Sequence, residues 1–135
     1  MCSLLASRRL MVVALITLVI ARVAAGTPDG AKATPEQQSM SNAKQIVFAC
    51  KVYAVDHNGN YPPYLDALFP TYLTDRKALI SPLMPLMQVG YDYTPGFQDT
   101  SPPNLIVLED KFAPKLKHIR IVVYTDDHVE ILKLP

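Results

Sequence analysis

Cysteine and glycine are both scarce in this chain, which has two cysteines and five glycines among its 135 residues. The glycines do not cluster, so the sequence lacks a glycine-rich loop of the kind that cradles phosphates. No Gly-x-Ser-x-Gly elbow surrounds a serine, which excludes that type of activated nucleophile. Cys2 and Cys50 are not at the spacing of a redox pair or a zinc site. We therefore expect no enzyme and no cofactor.

The first 25 residues have the three parts of a secretory signal peptide. Arg8 and Arg9 form a positive region, an apolar run covers residues 10–21, and small residues at 23–25 predict cleavage before Gly26. The apolar run is shorter than the ~20 residues that a membrane-spanning helix needs. We expect a signal peptide over residues 1–25 and an exported protein, periplasmic or extracellular. The alternative is an uncleaved segment that anchors the protein in the membrane.

Removal of the signal peptide changes the charge of the chain. The full sequence has 13 Lys and Arg against 12 Asp and Glu, and Arg8, Arg9 and Arg22 leave with the signal, so the formal charge falls from +1 to about −2. No clustered basic patch remains, which argues against a nucleic-acid partner. Cys50 stays as a single cysteine on an apolar helical pattern, and we expect it to be buried.

Residues 26–33 are rich in Gly, Pro and Asp and predict a linker, followed by one domain over residues 34–135. Thr34, Pro35 and Gln37 have the pattern of a capping box with proline in the first turn. An amphipathic helix follows, and Asn58-Gly59 predicts its end. Its apolar stripe recurs at spacings of three and four and consists of Met40, Ala43, Ile46, Val47, Cys50, Tyr53 and Ala54.

The middle of the chain is rich in proline. A short second helix is predicted near Pro63, burying Leu65, Leu68 and Phe69. Residues 77–89 contain two prolines among Leu, Ile and Met, and we interpret them as a packed loop.

The C-terminal half predicts strands at residues 90–94, 104–109, 119–125 and 128–134. The overall prediction is an α+β fold, with one N-terminal amphipathic helix packed on a small antiparallel sheet of three or four strands. Only Asp126-Asp127 separates the last two strands, which predicts a two-residue hairpin loop.

That loop pairs Tyr124 with Val129, and Val122 with Ile131. Because side chains alternate between faces, Val122, Tyr124, Val129 and Ile131 are expected to face the helix. The opposite face then presents three apolar residues with little to cover them. We therefore predict a protein-contact surface formed by Ile121, Val123 and Leu132.

Several short motifs occur in a characteristic order. They are Ser-Asn-Ala-Lys-Gln-Ile at 41–46, Asp-His-Asn-Gly-Asn-Tyr-Pro-Pro at 56–63, Leu-Asp-Ala-Leu at 65–68, Gly-Tyr-Asp-Tyr-Thr-Pro-Gly at 90–96 and Tyr-Thr-Asp-Asp-His-Val-Glu at 124–130. Over residues 41–132 the chain resembles the headgroups of type IV pilin-like proteins and type II secretion pseudopilins, of the kind typical of Planctomycetes and Verrucomicrobia. The resemblance implies a helix laid across a small antiparallel sheet, and a structural or protein-interaction role beside an envelope or secretion-system protein.

The chain departs from that family at its N-terminus. Residues 1–25 lack the Gly-Phe-x-x-x-Glu processing motif of prepilins, and the linker interrupts the long helix that pilins have. We therefore expect a separate exported domain and no filament subunit.

The alternative hypothesis is a small exported domain that binds a divalent metal. Asp126, Asp127 and His128 would form the site at the hairpin tip, with Glu109, Asp110 or His118 if the strands bring them close. Carboxylate and imidazole groups are the ligands that such ions prefer.

Overall fold

The computed structural model describes residues 32–135, so the predicted signal peptide over residues 1–25 and most of the linker lie outside the described residues. Helix α1, Pro35–Asp56, begins at the predicted capping box. The backbone N–H of Gln37 donates to Thr34 Oγ1 at 3.2 Å, and the N–H of Thr34 donates to Gln37 Oε1 at 3.0 Å. Asn58 and Gly59, with φ of 54° and 80°, end the helix as predicted.

Four strands follow in a single antiparallel sheet whose spatial order is the chain order. The strands are β1 Tyr91–Tyr93, β2 Ile106–Asp110, β3 Ile119–Tyr124 and β4 Val129–Lys133. A one-turn helix α2, Ala113–Lys117, connects β2 to β3. The expected α+β class is confirmed. The described part of the chain has one main helix and a sheet of four strands, where three or four were predicted. Within residues 32–135, no helix has the length and apolar character needed to cross a membrane.

The core contains residues of α1 and of the strands in one cluster. Cys50 is fully buried in it, as expected. Most of the predicted apolar stripe is buried too, but Met40 and Tyr53 are only half-buried. Ser39 and Ala49 are also buried, although they were not part of the predicted stripe. The cluster comprises Ala43, Ile46, Val47, Ala49, Cys50, Ala54, Tyr61, Leu65, Leu68, Leu79, Tyr91, Val107, Leu108 and Val123.

The middle of the chain adds two short 3-10 helices to the side of this core. The first, Leu65–Leu68, buries both of its leucines as predicted. The second, Arg76–Leu79, buries Leu79. The prediction of a packed loop over residues 77–89 is wrong for its second half, where Leu86 is 91% exposed.

The hairpin between β3 and β4 has a loop of three residues, so the predicted register is wrong by one. Val123 pairs with Val129, and Ile121 pairs with Ile131. The N–H of Tyr124 donates to the carbonyl of His128, which closes a loop over residues 125–127. Such loops need a left-handed third residue, and Asp127 has φ of 74°.

Thr125, the first residue of the hairpin loop, is bonded to residues from other parts of the chain. Its hydroxyl donates to the carbonyl of Pro102, and its N–H donates to the carbonyl of Leu105. Its own carbonyl accepts a hydrogen bond from the Tyr61 hydroxyl at 3.2 Å. All of these partners are remote in sequence. The three-residue loop shifts the β3–β4 pairing by one residue, and this shift reverses the faces predicted for β3.

Candidate protein-interaction surface

The structure contradicts two of the three predicted contact residues. Ile121 and Val123 are fully buried on the face of the sheet that α1 covers, so neither is accessible to a partner. Leu132 does lie on the other face, where it is half-buried. The register shift is the physical reason, because a slip of one residue exchanges the two faces of a strand.

The outer face of the sheet is covered by the chain's own polar side chains. Val122 lies there between Glu109 and Glu130, yet it is fully buried. Arg120 donates to both carboxylate oxygens of Glu109 at 2.8 and 2.7 Å, and this pairing raises the pKa of the guanidinium. The Tyr124 hydroxyl donates to Glu130 at 3.0 Å. Long paired side chains can cover apolar surface in this way without a partner protein.

The predicted metal ligands at the hairpin tip are directed to different partners. Asp126 Oδ1 lies 2.5 Å from Nδ1 of His128, and hydrogen bonding to this imidazole lowers the pKa of the carboxyl. Asp127 instead lies 3.7 Å from Nζ of Lys44 and 3.9 Å from Nζ of Lys51, both on α1. Two ammonium groups beside one carboxylate oppose the binding of a cation.

The remaining proposed ligands are also placed apart. Glu109 is paired with Arg120, and Asp110 is buried under α1. His118 ends helix α2 in the left-handed conformation. Among residues 32–135, no three His, Cys, Asp or Glu side chains are grouped so that they could hold a metal ion.

An exposed apolar stripe runs along the solvent side of α1. It consists of Phe48, Val52 and Val55, which are 59%, 40% and 82% exposed. Their spacings of four and three place them on one side of a helix. That side is opposite the buried residues, such as Ile46 and Cys50. Clustered exposed apolar side chains mark sites where a protein contacts another molecule.

A buried polar network fixes the first half of α1 on the sheet. Ser39 donates to Asp110 Oδ2 at 2.5 Å, and Ser81 donates to the same oxygen at 2.6 Å. The Tyr91 hydroxyl lies 3.2 Å from Ser39 Oγ. Burial raises the pKa of Tyr91 to about 12. Asp110 Oδ1 accepts the backbone N–H groups of residues 112 and 113. The network thus connects α1, β1, β2 and the start of α2.

The second half of α1 is held by aromatic contacts. The rings of Tyr53 and His57 stack with centroids 3.6 Å apart, and Tyr72 packs edge-on against Tyr53. The Tyr72 hydroxyl donates to Asp56 Oδ2 at 2.8 Å. Together with the polar network, these contacts hold both halves of α1 against the rest of the domain.

Only one of the two apolar stripes on α1 was predicted from the sequence. The buried stripe is conspicuous because it follows the capping box and runs the length of the helix. Phe48, Val52 and Val55 have the same kind of spacing on the opposite side, which was the available signal. The helix has two apolar sides, but the domain has only one predicted sheet against which a side can pack. The sequence therefore predicts that one apolar side stays exposed.

Comparison with known protein families, curated proteins and solved structures finds no match to this chain.

Proposed function

We propose that this chain is an exported, non-enzymatic protein-interaction domain that resembles a pilin or pseudopilin headgroup and docks on another protein of the cell envelope. The stripe of Phe48, Val52 and Val55 carries the proposal. It lies on the solvent side of the main helix, which contacts hold against the domain along both halves, and it presents apolar groups to water. An apolar helix side of this kind fits a groove on a partner protein.

Two further observations support this proposal. The motifs between residues 41 and 132 resemble those of pseudopilin headgroups, and a type II secretion system or a type IV pilus-like machine is the partner class that the resemblance implies. The N-terminal pattern is typical of an export signal, which would bring the domain to the same compartment as such machines.

Site-specific crosslinking in living cells of the source organism tests the proposal. A photoreactive amino acid at Val52 is expected to give one dominant crosslinked product, identified by mass spectrometry as an envelope or secretion-system protein. The same amino acid at Lys115, on the exposed part of α2, is the matched control and is expected to give no such product. Equal crosslinking from both positions, or none from Val52, would contradict the proposal.

A further inference from the structure

Among residues 32–135, strand β4 is one of the two edges of the sheet, and the backbone groups on its outer side are unpaired. In an antiparallel pair, residues alternately bond the neighbouring strand and face away from it. His128 and Leu134 bond β3 through Tyr124 and His118. Residues 130 and 132 lie two and four positions after His128, so their backbone groups point to the same side and bond β3 as well. The N–H and C=O groups of Val129, Ile131 and Lys133 therefore face outwards, and among residues 32–135 none of them has a hydrogen-bond partner.

An open edge of this length is a template for another strand. β4 has five residues without proline, whereas β1, at the other edge, has three. β1 is also followed closely by Pro95 and preceded by Gly90, whose N–H bonds the carbonyl of Leu79. The β4 edge is thus the longer and less obstructed of the two.

The sequence of β4 is complementary to itself when it pairs antiparallel about Ile131. Val129 then lies opposite Lys133 of the second copy, Glu130 lies opposite Leu132, and the two Ile131 residues face each other. No like charges are opposed, and all five residues of the strand are paired. Centring the pair on Glu130 or on Lys133 would place identical charges opposite each other, which destabilises a sheet.

The side chains at the centre of this pairing favour association. Ile131 lies on the same face as α1, two positions from the half-buried Val129, yet it is 43% exposed in the single chain. A second Ile131 beside it would cover this apolar surface. Hydrophobic contact and backbone hydrogen bonds would then act at the same place.

We propose that β4 is a homodimer interface, at which two copies of this chain pair antiparallel about Ile131 and join their sheets into one. The occupant of the edge is a second copy of the chain. This interface is separate from the stripe on α1, so it is independent of the proposed docking on an envelope protein.

Charge substitutions at Ile131, the residue at the centre of the proposed pairing, test both the interface and its register. Sedimentation of the mature protein at about 0.1 mM, where even weak dimers form, is expected to show a dimer that dissociates on dilution. Ile131→Asp and Ile131→Lys are each expected to be monomeric, because they place like charges opposite each other. An equimolar mixture of the two variants is expected to restore a dimer that contains one copy of each.

Two further variants distinguish a dimer formed at the β4 edge from one formed through the α1 stripe. Val55→Asp puts a charge on the α1 stripe and is expected to leave the dimer intact. If a charged variant at position 131 is unfolded, Ile131→Pro replaces it, since the N–H that proline removes faces the open edge and not β3. A monomeric wild-type protein, a mixture that stays monomeric, a dimeric folded Ile131→Pro protein, or dissociation by Val55→Asp would each overturn the proposal.

Discussion

Ser39 and Asp110 are 71 positions apart in the chain, and the Ser39 hydroxyl donates to Asp110 Oδ2 at 2.5 Å in the interior. Both residues are fully buried, and the described side chains leave no buried polar atom without a partner. A buried carboxylate is costly unless hydrogen bonds replace its hydration. The pair therefore explains how a serine on the buried side of α1 can be compatible with the core.

Replacing Ser39 with alanine is expected to destabilise the protein. The substitution removes one of the donors to Asp110 and leaves a buried acceptor poorly satisfied, a loss that costs about 1–3 kcal/mol of unfolding free energy. Urea denaturation measures the change. Ser41→Ala, on the exposed side of the same helix, is the matched control and should change the free energy by less than about 0.5 kcal/mol. Equal effects of the two substitutions would show that the network does not stabilise the fold.

The buried ionisable groups predict a loss of stability at alkaline pH. Burial raises the pKa of Cys50 from an ordinary 9.0 to about 12, and it raises that of Tyr61 to about 12 as well. Because the folded pKa values exceed the unfolded ones, the folded state favours the neutral forms. This contribution to stability is complete below the unfolded pKa values and is lost as the pH rises towards 12.

A pH series of denaturation curves checks this expectation. The unfolding free energy should fall steadily above pH 9, while the Cys50 thiol in the folded protein stays unreactive towards a thiol reagent at pH 9. The same reagent should modify the urea-unfolded protein rapidly, which serves as the control. Fast modification of the folded protein would mean that Cys50 is accessible or ionised.

The corrected register reverses the expected effect of a charge at Val123. The position was predicted to lie on an exposed contact surface, but it is fully buried. Val123→Lys should therefore cost more than about 3 kcal/mol or prevent folding, because a charge in the core has no partner. Val55→Lys, on the exposed stripe of α1, should change the unfolding free energy by less than about 0.5 kcal/mol. A stable Val123→Lys protein would contradict the pairing of Val123 with Val129.

The hairpin tip is expected not to bind calcium or zinc tightly. Asp127 faces Lys44 and Lys51, and Asp126 is paired with His128. A ligand well above its dissociation constant must raise the melting temperature. The melting temperature should therefore be unchanged by about 1 mM of either ion, with a chelator-treated sample as reference. A rise that Asp127→Asn abolishes would restore the metal-binding hypothesis.

Local signals in the sequence predicted the elements of this fold. The capping box at Thr34 and the Asn-Gly pair at 58–59 act on backbone groups within a few residues, so they predicted where α1 begins and ends. Runs of β-favouring residues predicted the four strands for the same reason. All of these features depend on neighbours along the chain, so the order of the residues is sufficient to predict them.

Contacts between remote residues decided the rest. Thr125 bonds Pro102 and Leu105 at the start of a three-residue hairpin loop, and the register of that hairpin places Ile121 and Val123 in the core. Ser39 lies on the buried side of α1, and only the tertiary structure brings Asp110 beside it to accept its hydrogen bond. The sequence by itself thus determined an α+β chain with one main helix and its approximate strands. Only the tertiary structure decided which faces are exposed, because that depends on partners brought together from distant parts of the chain.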